Sequence, residues 1–503
     1  MQTNILEYLE QTVLRVPDKV AFSDGTDNMT FADLSESARS IGSYLLHMGY
    51  RRGCVAVLMD KHPVQLAAFF GAIYAGCYYT APDASMPPKR LQMIMDTVKP
   101  GMIICDKKNM ALAYTFGLPV ALYDDIYRFP INDAALSEVR EDQIDTDTIY
   151  IVFTSGSTGV PKGVAACHRS VIDYTETLCA AIGFDEHTVF GNQTPLYFDA
   201  PLKEIMPTIK FGATAYLIPK QLFMFPVKLC DYLNEHKINT VCWVVSALTM
   251  ISSLGVLEKN PPLYLETVCF GSEVFPKKQY DLWRAALPSA RFFNLYGPTE
   301  ATGMSCYWPA ERSLSEDEPI PVGRPFRNTR IMLINEKGER AEKGEVGEIY
   351  ISGTCVTQGY FNNPEKTAEA FVQNPLQSAY PETVYRTGDL GRYNEHGELV
   401  FVSRKDSQIK HMGHRIELGE IEAAAATLDG VGRVCCVYPA EQKKIVMYYA
   451  GDIAPAALSK ELRLLLPRYM LPAAVHQLDT MPLTDNGKLN RRLLLQMATD
   501  SDK

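Results

Sequence analysis

Apolar positions recur at helical spacing over residues 31–48 and 63–74, and short β-type runs occupy 54–59, 78–81, 102–105 and 148–153. Helix and strand alternate, which predicts an α/β layer built on a largely parallel sheet. The alternation continues through 189–192, 202–211, 213–218, 240–245 and 267–270. From about residue 330 the texture changes. Short β runs at 331–334, 348–351, 384–385 and 399–402 are separated by turn signals such as Asn335-Glu-Lys-Gly and Asn394-Glu-His-Gly. This predicts a β-rich subdomain over about 330–404. A polar bend, Arg404-Lys-Asp-Ser, then precedes helix 419–428, strands 433–438 and 445–449, and helix 458–466. The expected fold class is α/β, with a large multi-subdomain N-terminal domain (1–404) and a small α+β C-terminal domain (405–503).

Composition narrows the functional classes. The chain has 503 residues, 47% hydrophobic and 21% charged, with 49 Lys plus Arg against 59 Asp plus Glu. A net charge of −10 argues against a nucleic-acid coat or a membrane-adsorbing surface. The uncharged runs 63–82 and 241–257 are interrupted by Gln65, Gly71, Gly76, Ser246, Thr249 and Gly255, so they read as buried strand and helix pieces, not membrane spans. Twelve cysteines include no C-x-x-C and one adjacent pair, Cys435-Cys436, which predicts reduced buried thiols and neither a zinc site nor a disulfide framework. The first ten residues have no basic start and no signal-length apolar stretch, so a cytoplasmic location is expected.

The most informative segment follows the strand at 150–153: Thr154-Ser-Gly-Ser-Thr-Gly-Val-Pro-Lys-Gly163. Small residues let the backbone approach a phosphate, hydroxyls at Thr154, Ser155, Ser157 and Thr158 can donate to its oxygens, and Lys162 adds charge. It is not a Walker loop, which needs G-x-x-x-x-G-K-[ST] running into a helix; here Pro161 precedes Lys162 and opposes one.

This loop resembles the signature of the adenylate-forming superfamily, which includes acyl- and aryl-CoA ligases, luciferases and the adenylation domains of non-ribosomal peptide synthesis. Further motifs resemble that family in order along nearly the whole chain: Met29-Thr-Phe-Ala-Asp-Leu34, Tyr74-Ala-Gly-Cys-Tyr-Tyr-Thr-Ala-Pro-Asp83, Asn294-Leu-Tyr-Gly-Pro-Thr-Glu300, Tyr385-Arg-Thr-Gly-Asp-Leu390, Arg404-Lys-Asp-Ser-Gln-Ile-Lys-His-Met-Gly413 and Asn486-Gly-Lys-Leu-Asn490. The resemblance implies an AMP-forming ligase using ATP and Mg²⁺. It assigns ATP binding to Thr154, Ser155, Gly156, Ser157, Thr158, Gly159, Asn294, Leu295, Tyr296, Gly297, Pro298, Thr299, Asp389, Phe401, Arg404 and Lys488. Tyr296 would stack on the base, Asp389 and Arg404 would hold the ribose, and Glu300 would carry the Mg²⁺. Lys162, Glu300 and Lys488 are the implied catalytic set, with Lys488 bridging the substrate carboxylate and the adenylate. Asp406 would be the hinge of a mobile C-terminal domain, and Gly413 would approach an incoming thiol arm. Ser403 stands where the family usually has Gly. His411 and His414 have no third ligand nearby in sequence and are not expected to bind a metal.

Asn192-Gln-Thr-Pro-Leu-Tyr-Phe-Asp199 resembles the amino-acid-activating branch, in which an Asp at the position of Asp199 pairs with the substrate ammonium. A competing role for Asp199 is a helix cap before Pro201. Layout is similar to the stand-alone D-alanine–carrier-protein ligases. Only 15 residues follow Lys488, so the expected acceptor is the phosphopantetheine thiol of a separate carrier protein. Lys203, Trp243, Phe270, Gly271, Gly303 and Met304 fall at implied substrate-binding positions together with Asp199 and Lys488. Gly271 and Gly303 replace larger residues of the D-alanine enzymes, which predicts a side chain larger than Ala, and Lys203 either selects an acidic side chain or pairs with Glu204. A monomer without nucleic-acid partners is expected. The alternatives are an acyl- or aryl-CoA ligase and a catalytically silent nucleotide-binding protein.

Overall fold

The computed structural model describes residues 2–156, 160–484 and 489–500. Its largest sheet has nine strands, and its centre is parallel: Arg291–Tyr296, Thr267–Gly271, Thr240–Val244, Val189–Asn192, Thr214–Leu217 and Val20–Ser23 lie side by side. Antiparallel strands close both edges, Asn28–Thr30 at one and Cys306–Pro309 with Arg324–Pro325 at the other. A six-stranded sheet runs Val120–Leu122, Met102–Cys105, Cys54–Leu58, Tyr78–Thr80, Thr148–Thr154 and Lys162–Cys167. The β-rich part is a five-stranded antiparallel sheet made of Thr329–Ile334, Gly347–Gly353, Phe371–Gln373, Thr383–Tyr393 and Leu399–Arg404.

Local chemistry explains the helices that support these sheets. Thr30 and Asp33 form a reciprocal capping box that starts Phe31–His47: the Asp33 N–H donates to Thr30 Oγ1 at 3.1 Å, and the Thr30 N–H donates to Asp33 Oδ2 at 3.0 Å. Pro63 opens Pro63–Tyr74, with the His62 ring accepting from the Val64 N–H. That helix is apolar on every side and almost wholly buried, which accounts for its uncharged sequence. The run at 241–257 resolves into the strand Thr240–Val244 and the helices Val245–Ser253 and Val256–Lys259. Among the described residues, no helix is long and apolar enough to cross a membrane. All twelve cysteines are buried free thiols.

Two compact units emerge. One comprises residues 1–84, 98–152 and 163–405; the other comprises 85–97, 153–162 and 406–503. The stretches 85–97 and 153–162 therefore group with the C-terminal residues and not with the N-terminal domain expected over 1–404. The physical reason is that Arg90 pairs with the Glu420 carboxylate, the Gly156 N–H donates to Glu420 at 3.2 Å, and Ser155 Oγ donates to the Arg415 carbonyl at 2.8 Å. The rest of this second unit is a hairpin, Gln408–His411 with His414–Glu417, and a three-stranded sheet, Val431–Val437, Val446–Gly451 and Ala474–Gln477. The helices Leu418–Ala426 and Pro455–Leu465 share a core with that sheet.

Candidate active site

In the first unit, the turn after Arg291–Tyr296 collects several of the expected residues. Gly297 permits it, because a Cβ there would lie 2.5 Å from the Met304 backbone. Tyr296 is buried, and its hydroxyl donates to Asp389 Oδ2 at 2.6 Å. Arg404 donates to Asp389 Oδ1 at 2.5 Å and to the Thr387 carbonyl at 3.2 Å. Burial and the Asp389 charge hold the Tyr296 phenol far above its ordinary value, so it acts as a donor that orients the carboxylate. Phe401 packs in the same apolar cluster as Tyr296. Asn294 is buried and donates to the Pro321 carbonyl at 2.8 Å, while Leu295 is part of the main core.

Glu300 has no exposed surface, and Tyr360 donates to its Oε1 at 2.7 Å. Its carboxylate is a hard oxygen donor of the kind that Mg²⁺ takes. The donor set therefore fits Mg²⁺ at Glu300.

Asp199 lies in the same unit. The helix Leu202–Phe211 begins behind Pro201 with no side-chain cap, so Asp199 is not a capping residue. Burial raises its carboxyl, while Lys203 and a hydrogen bond to Thr299 pull it down and Glu300 raises it further. Lys203 is buried, and its charge is also the largest influence opposing the upward shift of Glu204, which burial takes to about 8. Lys203 thus acts on both carboxylates through its charge, without an ion pair to either. Gly303 adopts φ +92°, and a Cβ there would lie 3.7 Å from Asp199 Oδ2 and 3.8 Å from the Tyr174 ring. Its glycine is required by backbone conformation and also leaves space beside Asp199.

Other expected substrate residues are placed differently. A Cβ at Gly271 would fall 2.2 Å from the Leu295 carbonyl on the neighbouring strand, so this glycine permits close backbone approach and does not widen a pocket. Trp243 and Phe270 are register partners that face a second core with Phe275, Tyr280 and Trp283. Cys242 and Cys269 point to the opposite core, which also holds Leu295 and Met304. What sequence reasoning missed is a cavity of about 10 Å3 beside Asp199, lined by Phe69, Tyr79, Tyr150, Leu196, Pro201 and Ile205 among others. These residues come from separate elements, so no local pattern signals them. The Tyr150 hydroxyl is buried without a hydrogen-bond partner. The volume suits one water.

A further group surrounds Lys61. Its Nζ donates to the carbonyls of Asn192, Gln193 and Ile218 at 2.9, 3.2 and 3.3 Å. Burial lowers this ammonium to about 7, against the pull of Glu204. Asn192 Nδ2 donates to Glu204 Oε2 at 3.4 Å.

The second unit carries the glycine-rich loop. At Gly156 a Cβ would lie 2.0 Å from the Val160 carbonyl, so only glycine fits. Thr154 Oγ1 is buried with no hydrogen-bond partner, an orphan hydroxyl of the kind a phosphate oxygen would satisfy. The chain leaves the loop as the strand Lys162–Cys167, consistent with Pro161 opposing a helix. Ser157, Thr158, Gly159 and Lys488 lie outside the described residues. Asp406 is exposed, and its Oδ1 accepts from the Gln408 N–H at 3.2 Å. Gly413 forms the hairpin turn with φ +79°. His411 lies 3.2 Å from the Tyr438 hydroxyl, and His414 stacks on Tyr469.

The sequence pattern of the family described as AMP-binding enzyme matches residues 9–361. The chain is 31% identical to malpinin synthetase of Mortierella alpina over 97% of its own length, and it spans only 6% of that much longer protein. It is 29% identical to the L-proline–[L-prolyl-carrier protein] ligase of Streptomyces coelicolor, with 93% of this chain and 92% of that one covered. Its fold is similar to that of holo-PA1221, a protein containing adenylation and PCP domains solved with a vinylsulfonamide inhibitor. That match has a TM-score of 0.85 at 24% identity, over 98% of this chain and 84% of the other.

Proposed function

The chain belongs to the AMP-binding enzyme family, and from that premise we propose that it activates an amino acid with ATP and passes it to the phosphopantetheine thiol of a separate carrier protein. In the first step a substrate carboxylate oxygen attacks the α-phosphorus of ATP. The α–β phosphoanhydride bond breaks, pyrophosphate leaves, and an aminoacyl adenylate remains. In the second step the carrier thiol attacks the acyl carbonyl, its proton is lost, and AMP departs. Stabilising the charge that grows on the phosphoryl oxygens is the main catalytic demand. When bound, Mg²⁺ supplies part of that stabilisation, with Glu300 as its carboxylate. Asp389 and Arg404 would orient the ribose, Tyr296 would stack on the base with its hydroxyl donating to Asp389, and Lys488 and Lys162 carry the charge that the motif resemblance assigns to them.

One observation carries the amino-acid reading. Asp199 is a carboxylate that burial pushes up, placed beside glycine backbone at 303. An α-ammonium group satisfies such a carboxylate; a fatty or aryl acid would leave it without that partner. The likeness to a prolyl-carrier ligase supports the same reading. The charge of Lys203 acts on both Asp199 and Glu204, so we take a neutral side chain before an acidic one. Its size is set at Gly303 and not at Gly271, so D-alanine and larger neutral amino acids both belong in the test.

Amino-acid-dependent ATP–pyrophosphate exchange across D- and L-amino acids, with fatty and aryl acids as controls, tests this. Exchange should appear with one or a few neutral amino acids. Asp199→Asn should lower kcat/KM for that amino acid by about 100-fold, the loss expected from one charged contact, with the KM for ATP unchanged. Exchange driven by fatty or aryl acids alone would overturn the reading.

A further inference from the structure

The segment that presents Asp199 leaves the sheet at Asn192 and re-enters regular structure at Leu202. Its start is gripped by one side chain. Lys61, just before the helix Pro63–Tyr74, directs its ammonium at three carbonyls, those of Asn192, Gln193 and Ile218. Asn192 ends one strand, and Ile218 follows the end of its parallel neighbour Thr214–Leu217. Three acceptors match the three N–H bonds of an ammonium, and a neutral amine would leave one of them unmet. The other end of the segment is tied to the same point. Glu204, in the first turn of Leu202–Phe211, accepts from Asn192 Nδ2 at 3.4 Å.

We infer that Lys61 is a positioning residue for amino-acid activation: it pins the start of the 192–204 segment to the end of the neighbouring strand so that Asp199 is presented to the substrate ammonium. The inference rests on the proposed function in taking Asp199 as the amine contact. Lys61 does not touch substrate in this scheme. It acts through the backbone of Asn192 and Gln193.

Lys61→Met keeps the aliphatic stem and removes the donors; Lys61→Arg keeps donors and charge. Two measurements separate the inference from the function on which it rests. The first needs no substrate: amide hydrogen exchange of 192–204 should be about tenfold or more faster in Lys61→Met than in the native chain, with smaller change in Lys61→Arg and none in the strand Arg291–Tyr296. The second is steady-state pyrophosphate exchange with the preferred amino acid. KM for the amino acid should rise about 10-fold or more in Lys61→Met, with kcat and the KM for ATP within about twofold, and Lys61→Arg should recover much of the loss. Where Lys61→Met yields no folded protein, Lys61→Gln takes its place. Unchanged exchange at 192–204, or acceleration spread evenly through the sheet, overturns the inference whichever acid the enzyme activates. Equal rises in both KM values overturn it too. Selective acceleration in a protein that activates no amino acid would support the clamp and defeat the proposed function.

Discussion

His168 shows how much one buried side chain can say about stability. It is almost fully buried, and the Ile5 N–H donates to its Nδ1 at 3.2 Å. Protonating that nitrogen would set two N–H groups against each other. Burial first, and then the Arg140 charge, lower its pKa to about 3. In the unfolded chain it titrates near 6.5, so between about 6.5 and 3 the unfolded state takes up a proton that the folded state refuses. The stability this neutral ring contributes is present above about 6.5 and falls by about 1.4 kcal/mol per pH unit below it. His168→Gln lacks this dependence. The stability gap between the native chain and His168→Gln, measured by urea denaturation, should shrink by about 2 kcal/mol from pH 6.5 to 5; a gap constant with pH would refute the neutral-histidine account. At this scale the sequence revealed chemistry better than direction. Asp199, Glu300 and Asp389 were legible because motif spacing names them. Which core Trp243 and Phe270 face is not legible in the sequence, because facing depends on strand register, and one residue of parity sends a side chain to the opposite core.

Between elements, a close crossing joins Phe31–His47 and Pro63–Tyr74. Each helix brings a glycine to it. A Cβ at Gly71 would sit 2.6 Å from Ile41 Cγ2 and 3.1 Å from the Ala38 carbonyl, and one at Gly42 would sit 2.8 Å from Tyr74 Cβ. Glycine inside a helix costs about 1 kcal/mol relative to alanine, so its presence here reflects packing. Gly71→Ala should gain helix propensity yet destabilise by about 1–3 kcal/mol, because overpacking against the Ala38 backbone cannot relax through a rotamer change. Gly71→Ala should cost less in an Ile41→Ala background than in the native chain, since that background lacks the Cγ2 that lies 2.6 Å from the added methyl. Thermal unfolding of the single and double variants checks this; a stabilised Gly71→Ala would mean that the helices move apart freely. The boundaries of these helices were readable from the sequence because Thr30, Asp33 and Pro63 are local signals. The glycine contact was not, since either glycine alone resembles a break in a helical pattern and acquires meaning only when the partner helix is in place.

Across the whole molecule, the ion pair between Arg90 and Glu420 joins residues 330 positions apart within the second unit, with both side chains at or below 5% exposure. Motif order could not reveal this, because a series of motifs says nothing about which stretch packs on which. Glu420 has two duties: it pairs with Arg90 and accepts from the Gly156 N–H of the glycine-rich loop. Removing Arg90 leaves a buried carboxylate uncompensated, so Arg90→Met should destabilise this unit by about 3–5 kcal/mol. Replacing both partners is a different perturbation, because a buried ion pair exchanged for apolar groups is often neutral. The double variant Arg90→Met/Glu420→Leu should therefore recover most of the loss, short of about 1–3 kcal/mol for the Gly156 N–H left without its acceptor. Hydrogen exchange distinguishes the two duties. The Gly156 amide should exchange faster in the double variant although global stability has largely returned, whereas the residues of Pro455–Leu465 should return to native protection. If both regions recovered together, the carboxylate would be holding only Arg90, and the loop's place in this unit would depend on Ser155 and the Arg415 carbonyl instead.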